Sequence, residues 1–176
     1  MVKYSKEKRR DNMDKKIKTV CFTGHRDINK ALAPYIPSAL KSEIKNLILL
    51  GATSFRAGGA MGFDTVAALC VLELKEIYPH ITLDLILPCR DQTNGWNEQN
   101  IRAYNYILSQ ADSIKYITDT YRAGCMHERN RALVDGADVC VAYLERSVGG
   151  SAYTYTYALK NDIEVINIYD KIKNRD

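Results

Sequence analysis

The sequence predicts an α/β protein: a single-domain, Rossmann-like fold whose doubly wound, mostly parallel sheet carries helices on both faces. Two observations lead there. Runs such as Val139-Cys140-Val141-Ala142-Tyr143-Leu144 are apolar on successive residues, the mark of a strand buried on both faces. Longer stretches of helical period lie between such runs, and parallel strands need these crossovers to bring the chain back in the same direction. A length of 176 residues, 46% hydrophobic and 26% charged, suits one domain that buries its own core without a disulfide or metal staple.

Residues 17–22 read as the first strand, since Val20 and Phe22 favour extended backbone and Thr23-Gly24 ends it. Pro34 and Pro37 follow. Leu40, Ile44, Leu47 and Ile48 then form the apolar stripe of a helix running from Ser38 as cap to Gly51 as stop. A short strand over residues 54–57 leads into Gly58-Gly59-Ala60-Met61-Gly62. The helix after it carries Val66, Ala67, Leu69, Cys70, Leu74 and Ile77 and is stopped by Pro79. Residues 82–87 are β-rich and end at Pro88, and the stretch 96–110 sets Ile101, Tyr104 and Leu108 on one helical face. Residues 114–117 form a strand, 122–135 a helix closed by Gly136, and 139–144 a strand. After Gly149-Gly150 a helix reaches Asn161, and residues 164–168 are the last strand. Tyr153-Thr154-Tyr155-Thr156-Tyr157 alternates like a strand, but its place between a glycine turn and Ala158-Leu159-Lys160 argues for helix.

The formal net charge is +4, from 25 Lys and Arg against 21 Asp and Glu, and a basic chain invites a nucleic-acid partner. The sign comes from one end. Residues 1–18 hold eight basic and three acidic side chains, a net of +5; the other 158 hold 17 and 18, a net of −1. Residues 1–16 are expected to be a basic flexible tail and 17–176 the domain, with Met13 a candidate alternative start. No stretch approaches the roughly 20 apolar residues of a membrane span, and the N-terminus has no apolar signal-peptide run. A cytoplasmic protein without a membrane partner is expected. Five widely spaced cysteines without a C-x-x-C pair imply neither a disulfide framework nor a zinc site.

In an open parallel sheet, ligands bind beyond the carboxyl ends of the strands, near the point where strand order reverses. Thr23-Gly24-His25-Arg26 and residues 58–64, 88–96 and 149–154 fall on that edge. Cys125-Met126-His127-Glu128-Arg129-Asn130 starts a helix that reaches the same rim. Glycines ahead of a helix let the backbone approach a ligand, and the helix's first amides then point at an anion. Gly58, Gly59, Ala60 and Gly62 fit that geometry. So do Gly149, Gly150 and Ser151, and Ser151 and Thr154 add hydroxyl donors suited to phosphate. Either loop alone reads equally well as a tight turn; two on one edge favour a phosphate-bearing ligand. Neither is G-x-G-x-x-G or G-x-x-x-x-G-K-[ST], which disfavours an ordinary dehydrogenase or ATPase.

Asp64 reads as a hydrogen-bond acceptor for a ribose or base, or as a carboxylate placed well in a helix's first turn. Arg26 and Arg129 are candidate phosphate clamps, Arg129 the better because Glu128, Asn130 and Arg131 crowd polar chemistry beside it. His25 and His127, with Cys89 or Cys125, lack metal-ligand spacing, so no metal site is expected and no cofactor is required. Cys125 and His127 lie too close in sequence to face each other as a nucleophile pair.

In combination, Thr23-Gly24-His25-Arg26, Gly58-Gly59-Ala60-Met61-Gly62-Phe63-Asp64, Pro88 with Trp96, Glu128-Arg129-Asn130, and Gly149-Gly150-Ser151 with Thr154, Tyr157 and Ala158 resemble the DUF1273 (YpsA-like) proteins. These belong to the SLOG superfamily, the Rossmann-like group that also holds the DNA processing protein A domain and the LOG (Lonely Guy) phosphoribohydrolases. The resemblance spans residues 17–168. Met126-His127-Glu128-Arg129 followed by Gly149-Gly150 is similar to the LOG pattern M-H-x-R, P-G-G-x-G-T-x-x-E, in which the arginine and the glutamate are catalytic. Arg129 matches, but the glutamate position falls at Thr156 or Tyr157 and Val148 replaces the proline, so Glu128 or Asp64 would have to supply the carboxylate that an oxocarbenium-like sugar needs. Gly58 to Asp64 with Ala67 is similar to G-x-A-x-G-x-D-x-x-A of DNA processing protein A.

The resemblance implies a sensor or regulatory domain that binds a nucleotide or nucleotide-derived small molecule. Gly149, Gly150, Ser151 and Thr154 would hold phosphate, Arg129 with Asn130 would neutralise and orient it, and Gly24, His25, Arg26, Gly58 to Gly62 and Asp64 would complete the cleft. A LOG-type nucleoside-monophosphate phosphoribohydrolase is the alternative, with Arg129, Glu128 and Asp64 as candidate catalytic residues. Single-stranded DNA binding ranks third, because a body of net charge −1 offers no basic groove. Assembly as a homo-oligomer is compatible with this composition.

Overall fold

The computed structural model describes residues 16–174. The tail expected over residues 1–16, Met13 included, lies outside the described residues except for Lys16. Six strands form one sheet: β1 (Thr19–Gly24), β2 (Ser54–Ala57), β3 (Thr82–Leu87), β4 (Ser113–Tyr116), β5 (Val139–Tyr143) and β6 (Glu164–Asn167). Between and after them run α1 (Ile36–Leu49), α2 (Phe63–Lys75), α3 (Glu98–Gln110), α4 (Cys125–Val134), α5 (Gly149–Lys160) and α6 (Ile168–Ile172). The order across the sheet is β4-β3-β2-β1-β5-β6 and every pairing is parallel. The fold is the doubly wound, Rossmann-like one that the sequence predicts, and wholly parallel. Strand order reverses between β1 and β5, which pair from Val20 opposite Val139 to Gly24 opposite Tyr143. The loops that leave these two strands therefore flank the crevice where such sheets take ligands.

The pleat sorts the core into two layers. Val20, Phe22, Val139, Val141 and Tyr143 face the larger layer, under α1, α2, α3 and α6. Cys21 and Cys140, opposite one another in the ladder, face the smaller layer with Leu133, Val134 and Ala158 of α4 and α5. Two helices cannot cover six strands. β1 and β5 are buried on both faces through their middles and β3 over its carboxyl end, whereas Arg56 of β2 and Asp84 of β3 are partly exposed. Asp84 accepts hydrogen bonds from the hydroxyls of Ser54 (2.7 Å), Thr82 (2.9 Å) and Ser113 (2.6 Å), which satisfies a carboxylate set in a sheet.

Several boundaries differ from the sequence reading, each for a local reason. β1 continues through Gly24 because its ladder with β5 does. Ser38 is inside α1 rather than its cap: a 3-10 turn (Ala33–Tyr35) starts the helix early, and Pro37 occupies the first turn, where a missing N–H costs nothing. Ile77 lies past the end of α2 and is exposed. α4 begins at Cys125, since Gly124 before it takes the left-handed conformation at φ +87°. Residue 168 leaves the last strand to open α6, because the Asn167 side chain accepts from Tyr169 N and caps a new helix. No helix among the described residues is long and apolar enough to cross a membrane.

Candidate functional site

The crevice is assembled from three helix starts and the end of β1. His25 ties them together. Its backbone N–H donates to Tyr143 O (3.2 Å), its carbonyl accepts from Phe63 N (3.1 Å), and its ring Nε2 accepts from the amides of Glu145 and Arg146, both at 3.1 Å. Burial lowers the ring's pKa, and the Arg146 charge lowers it further. A neutral ring with a bare Nε2 is what two converging N–H donors require. His25 thus holds the β5–α5 loop in place while one side of the ring lines the crevice.

Gly58 to Gly62 connect β2 to α2, and their glycines are closed in by protein. A Cβ on Gly58 would lie 1.5 Å from Arg129 Nη1, and one on Gly62 would lie 2.1 Å from Arg26 O at a backbone φ of +78°. Gly59 is pressed in the same way against Leu87, and Gly24 against the Phe63 ring. These glycines admit a guanidinium, a carbonyl and two side chains of the protein itself. Asp64, in the first turn of α2, accepts from Ala60 N (3.3 Å) and faces Arg129 Nη1 at 3.5 Å. Both side chains are over nine-tenths buried. Burial pushes the Asp64 carboxyl up, against the pull of Arg129 and of the Ala60 and Gly58 amides. Burial likewise pushes Arg129 down, with Asp64 pulling it back up. An arginine keeps its proton in proteins, so the floor of the crevice is a buried cation beside a carboxylate, and Arg129 Nε has no hydrogen-bond partner among the described residues.

The third wall is the start of α5, and it differs from the second. Among the described residues no side-chain hydrogen bond caps it, and Val148 at the N-cap is 67% exposed. Among the described residues nothing lies within 4 Å of a Cβ placed on Gly149, and only Asn130 Nδ2, at 3.6 Å, within that range of one on Gly150. The Ser151 hydroxyl donates to Gly24 O (2.6 Å) and that of Thr154 to Gly150 O (2.9 Å). Both hydroxyl protons are therefore spent on carbonyls, and the groups left to donate into the crevice are the amides of the first turn. Asn130 Nδ2 reaches Gly150 O at 3.5 Å.

These walls enclose a cavity of about 540 Å³. Of the residues singled out by sequence, Gly24, His25, Arg26, Ala60 and Asp64 line it from β1 and α2. Arg129, Asn130, Gly149, Gly150, Ser151 and Thr154 line it from α4 and α5. Gly58, Gly59 and Gly62 stand behind the lining, and Glu128 is turned away, its two oxygens taken by Arg122 at 2.8 and 2.7 Å. Thr156 is exposed and the Tyr157 hydroxyl bonds Asp135, so neither offers a group to the crevice. Phe22 and Leu133 also line the cavity, outside the segments that the sequence places on this edge. Their signal was position alone, at a strand end and on a helix face.

Comparison with known proteins agrees with this architecture. The family model described as the YspA SLOG family matches residues 20–171. A UPF0398 protein of Halalkalibacterium halodurans is 32% identical over 145 residues, covering 77% of each chain, and one of Bacillus pumilus is 33% identical over 119 residues, covering 66% of this chain and 64% of the other. Among solved structures, DNA processing protein A of Helicobacter pylori, described for its single-stranded DNA binding mode, superposes with a TM-score of 0.63 at 18% identity, over 94% of this chain and 75% of that one. DNA processing protein A of Streptococcus pneumoniae gives 0.61 at 16%, over 90% of this chain and 54% of that one. At such identities the likeness is one of fold.

Proposed function

From the premise that this chain belongs to the YspA SLOG family, we propose that it is a cytoplasmic sensor or regulatory domain that binds a phosphate-bearing, nucleotide-derived small molecule in the crevice between β1 and β5. The observation that carries this reading is the open first turn of α5. Its amides, uncapped by any side chain, face a cavity that also holds the buried cation of Arg129. Free helix-start amides and a guanidinium are the two groups that proteins use most directly for phosphate. Five buried free thiols suit a reducing compartment.

The hydrolase alternative has less support. Asp64 is the one carboxylate among the cavity's lining residues, and it is committed to Arg129. A thermal-shift panel of inorganic phosphate, nucleoside mono- and diphosphates, NAD, ADP-ribose and cyclic nucleotides tests the binding reading. A ligand at about 100 times its Kd adds roughly 2.7 kcal/mol, or roughly 5–10 °C for a chain of this size. Gly150→Leu, which projects into open space, should abolish that shift without unfolding the protein. A flat panel for the unsubstituted protein overturns the proposal.

A further inference from the structure

A second cavity, of about 410 Å³, adjoins the first, and Arg26 and Met126 line both. Its remaining walls are the β3–α3 and β4–α4 loops, which the chain locks to one another. Arg90 donates to Asp119 through its backbone N and its Nε, each at 3.1 Å, and Tyr121 N donates to Asp91 Oδ1 at 2.9 Å. Two aromatic rings line this space. Trp96 is partly buried and held edge-on by Tyr104, with centroids 5.7 Å apart and planes at 80°, so its orientation is set before anything binds. Tyr121 is 65% exposed. Asp91 and Asn94 add a carboxylate and a carboxamide, while Gln92 is occupied by its bond to Gly59 O at 3.1 Å. Burial, helped by Asp91, pushes the Cys89 thiol up to about 12, so the wall it contributes is a neutral thiol and not a nucleophile.

Flat rings beside groups that accept and donate hydrogen bonds suit a planar heteroaromatic ring with a polar edge. Arg26, on the wall common to both cavities, makes no ion pair with another side chain among the described residues, and its charge acts on both Asp64 and Arg129. We propose that the second cavity is the base subsite of the ligand whose phosphate sits at α5: the heteroaromatic ring lies against Trp96 and Tyr121, Asp91 and Asn94 read its polar edge, and Arg26 bridges the two subsites. This rests on the phosphate-binding reading of the first cavity. A carboxylate can only accept, so Asp91 favours bases that present an N–H or amino edge.

Trp96 is the only tryptophan in the chain, so intrinsic tryptophan fluorescence reports on this cavity alone. The probes are ribose 5-phosphate and the 5′-monophosphates of adenosine and guanosine, with melting temperature and emission read together. Ribose 5-phosphate should raise the melting temperature and leave the emission unmoved. The nucleotides should change the emission and bind roughly tenfold to hundredfold tighter, the range expected from stacking one base. Tyr121→Ala, at an exposed position, should cut nucleotide affinity at least several-fold and leave ribose 5-phosphate binding unchanged; Trp96→Leu should do the same more strongly. If ribose 5-phosphate binds but nucleotides bind no tighter and do not move the emission, the base subsite is overturned and the phosphate site stands. If no probe binds, the phosphate reading falls and this inference falls with it.

Discussion

Gly58-Gly59-Ala60-Met61-Gly62 leads from β2 into α2 and Gly149-Gly150-Ser151 opens α5, both on the carboxyl edge of the sheet, yet the space over their glycines is opposite. Over the first loop it is filled by the guanidinium of Arg129, the main chain of Arg26 and the side chain of Leu87. Over Gly149 it is empty, and over Gly150 nearly so. The same residue type serves close packing within the protein in one loop and leaves room for something else in the other. Glycine before a helix is thus a statement about close approach, and only the folded chain says by what.

Substitution should tell the two loops apart, most sharply at the buried cation. Arg129→Leu removes the cation packed over Gly58 and leaves the Asp64 carboxyl buried without its partner, which should cost about 3–5 kcal/mol in urea denaturation. The sign of its pH dependence follows from Asp64. Burial raises the folded-state pKa above the unfolded one, so stability from this group is present below the unfolded value and is lost as pH rises through the folded one. The Arg129→Leu deficit should shrink toward pH 4, and equal deficits at pH 4 and 7 would contradict a buried lone carboxyl. Gly62→Ala comes next, with a cost of about 2–4 kcal/mol, because it combines a positive φ with a clash against the Arg26 main chain. A drop below 1 kcal/mol would show that the first loop is as open as the second.

His25 supplies a smaller, pH-dependent term. Its folded pKa is lowered, chiefly by burial, so its contribution is full above the unfolded value of about 6.5 and fades as pH falls through the lowered one. Melting temperature should decline below that pH in the unsubstituted protein and decline less in His25→Gln. The smallest effect belongs to the open loop. Gly150→Ala, in the first turn of α5 with a free Cβ position, should change stability by about 0.5 kcal/mol or less, in either direction. A cost above 2 kcal/mol would mean that Gly150 is as enclosed as Gly62.

How much was legible in the sequence differs between fold and site. Periodicity carried the fold, since β2 and β3 stand at the residues where turn punctuation put them. The small α6 escapes the sequence pattern because Asn167 fits the end of a strand as well as a cap, although asparagine ahead of a helical turn is a usable signal. At the site, the edge rule found the loops but not the roles of their side chains. Ser151 and Thr154 are hydroxyls placed where phosphate donors would be, and both donate to carbonyls instead. Asp91 and Tyr121 meet through a bond from the Tyr121 main-chain N–H to the Asp91 carboxylate, between two loops 30 residues apart, a contact that no local pattern announces.

Both outer strands of the sheet, β4 and β6, are only four residues long. Lys115 is exposed on one and Glu164 on the other. An open sheet leaves unpaired N–H and C=O groups along its borders, and these invite a neighbouring molecule to add its own strand. Short borders, each carrying a charge, work against that: two copies meeting at like borders would bring lysine toward lysine or glutamate toward glutamate. Borders of four residues also give an added strand few ladder bonds to make, so strand addition is a poor route for two copies to associate.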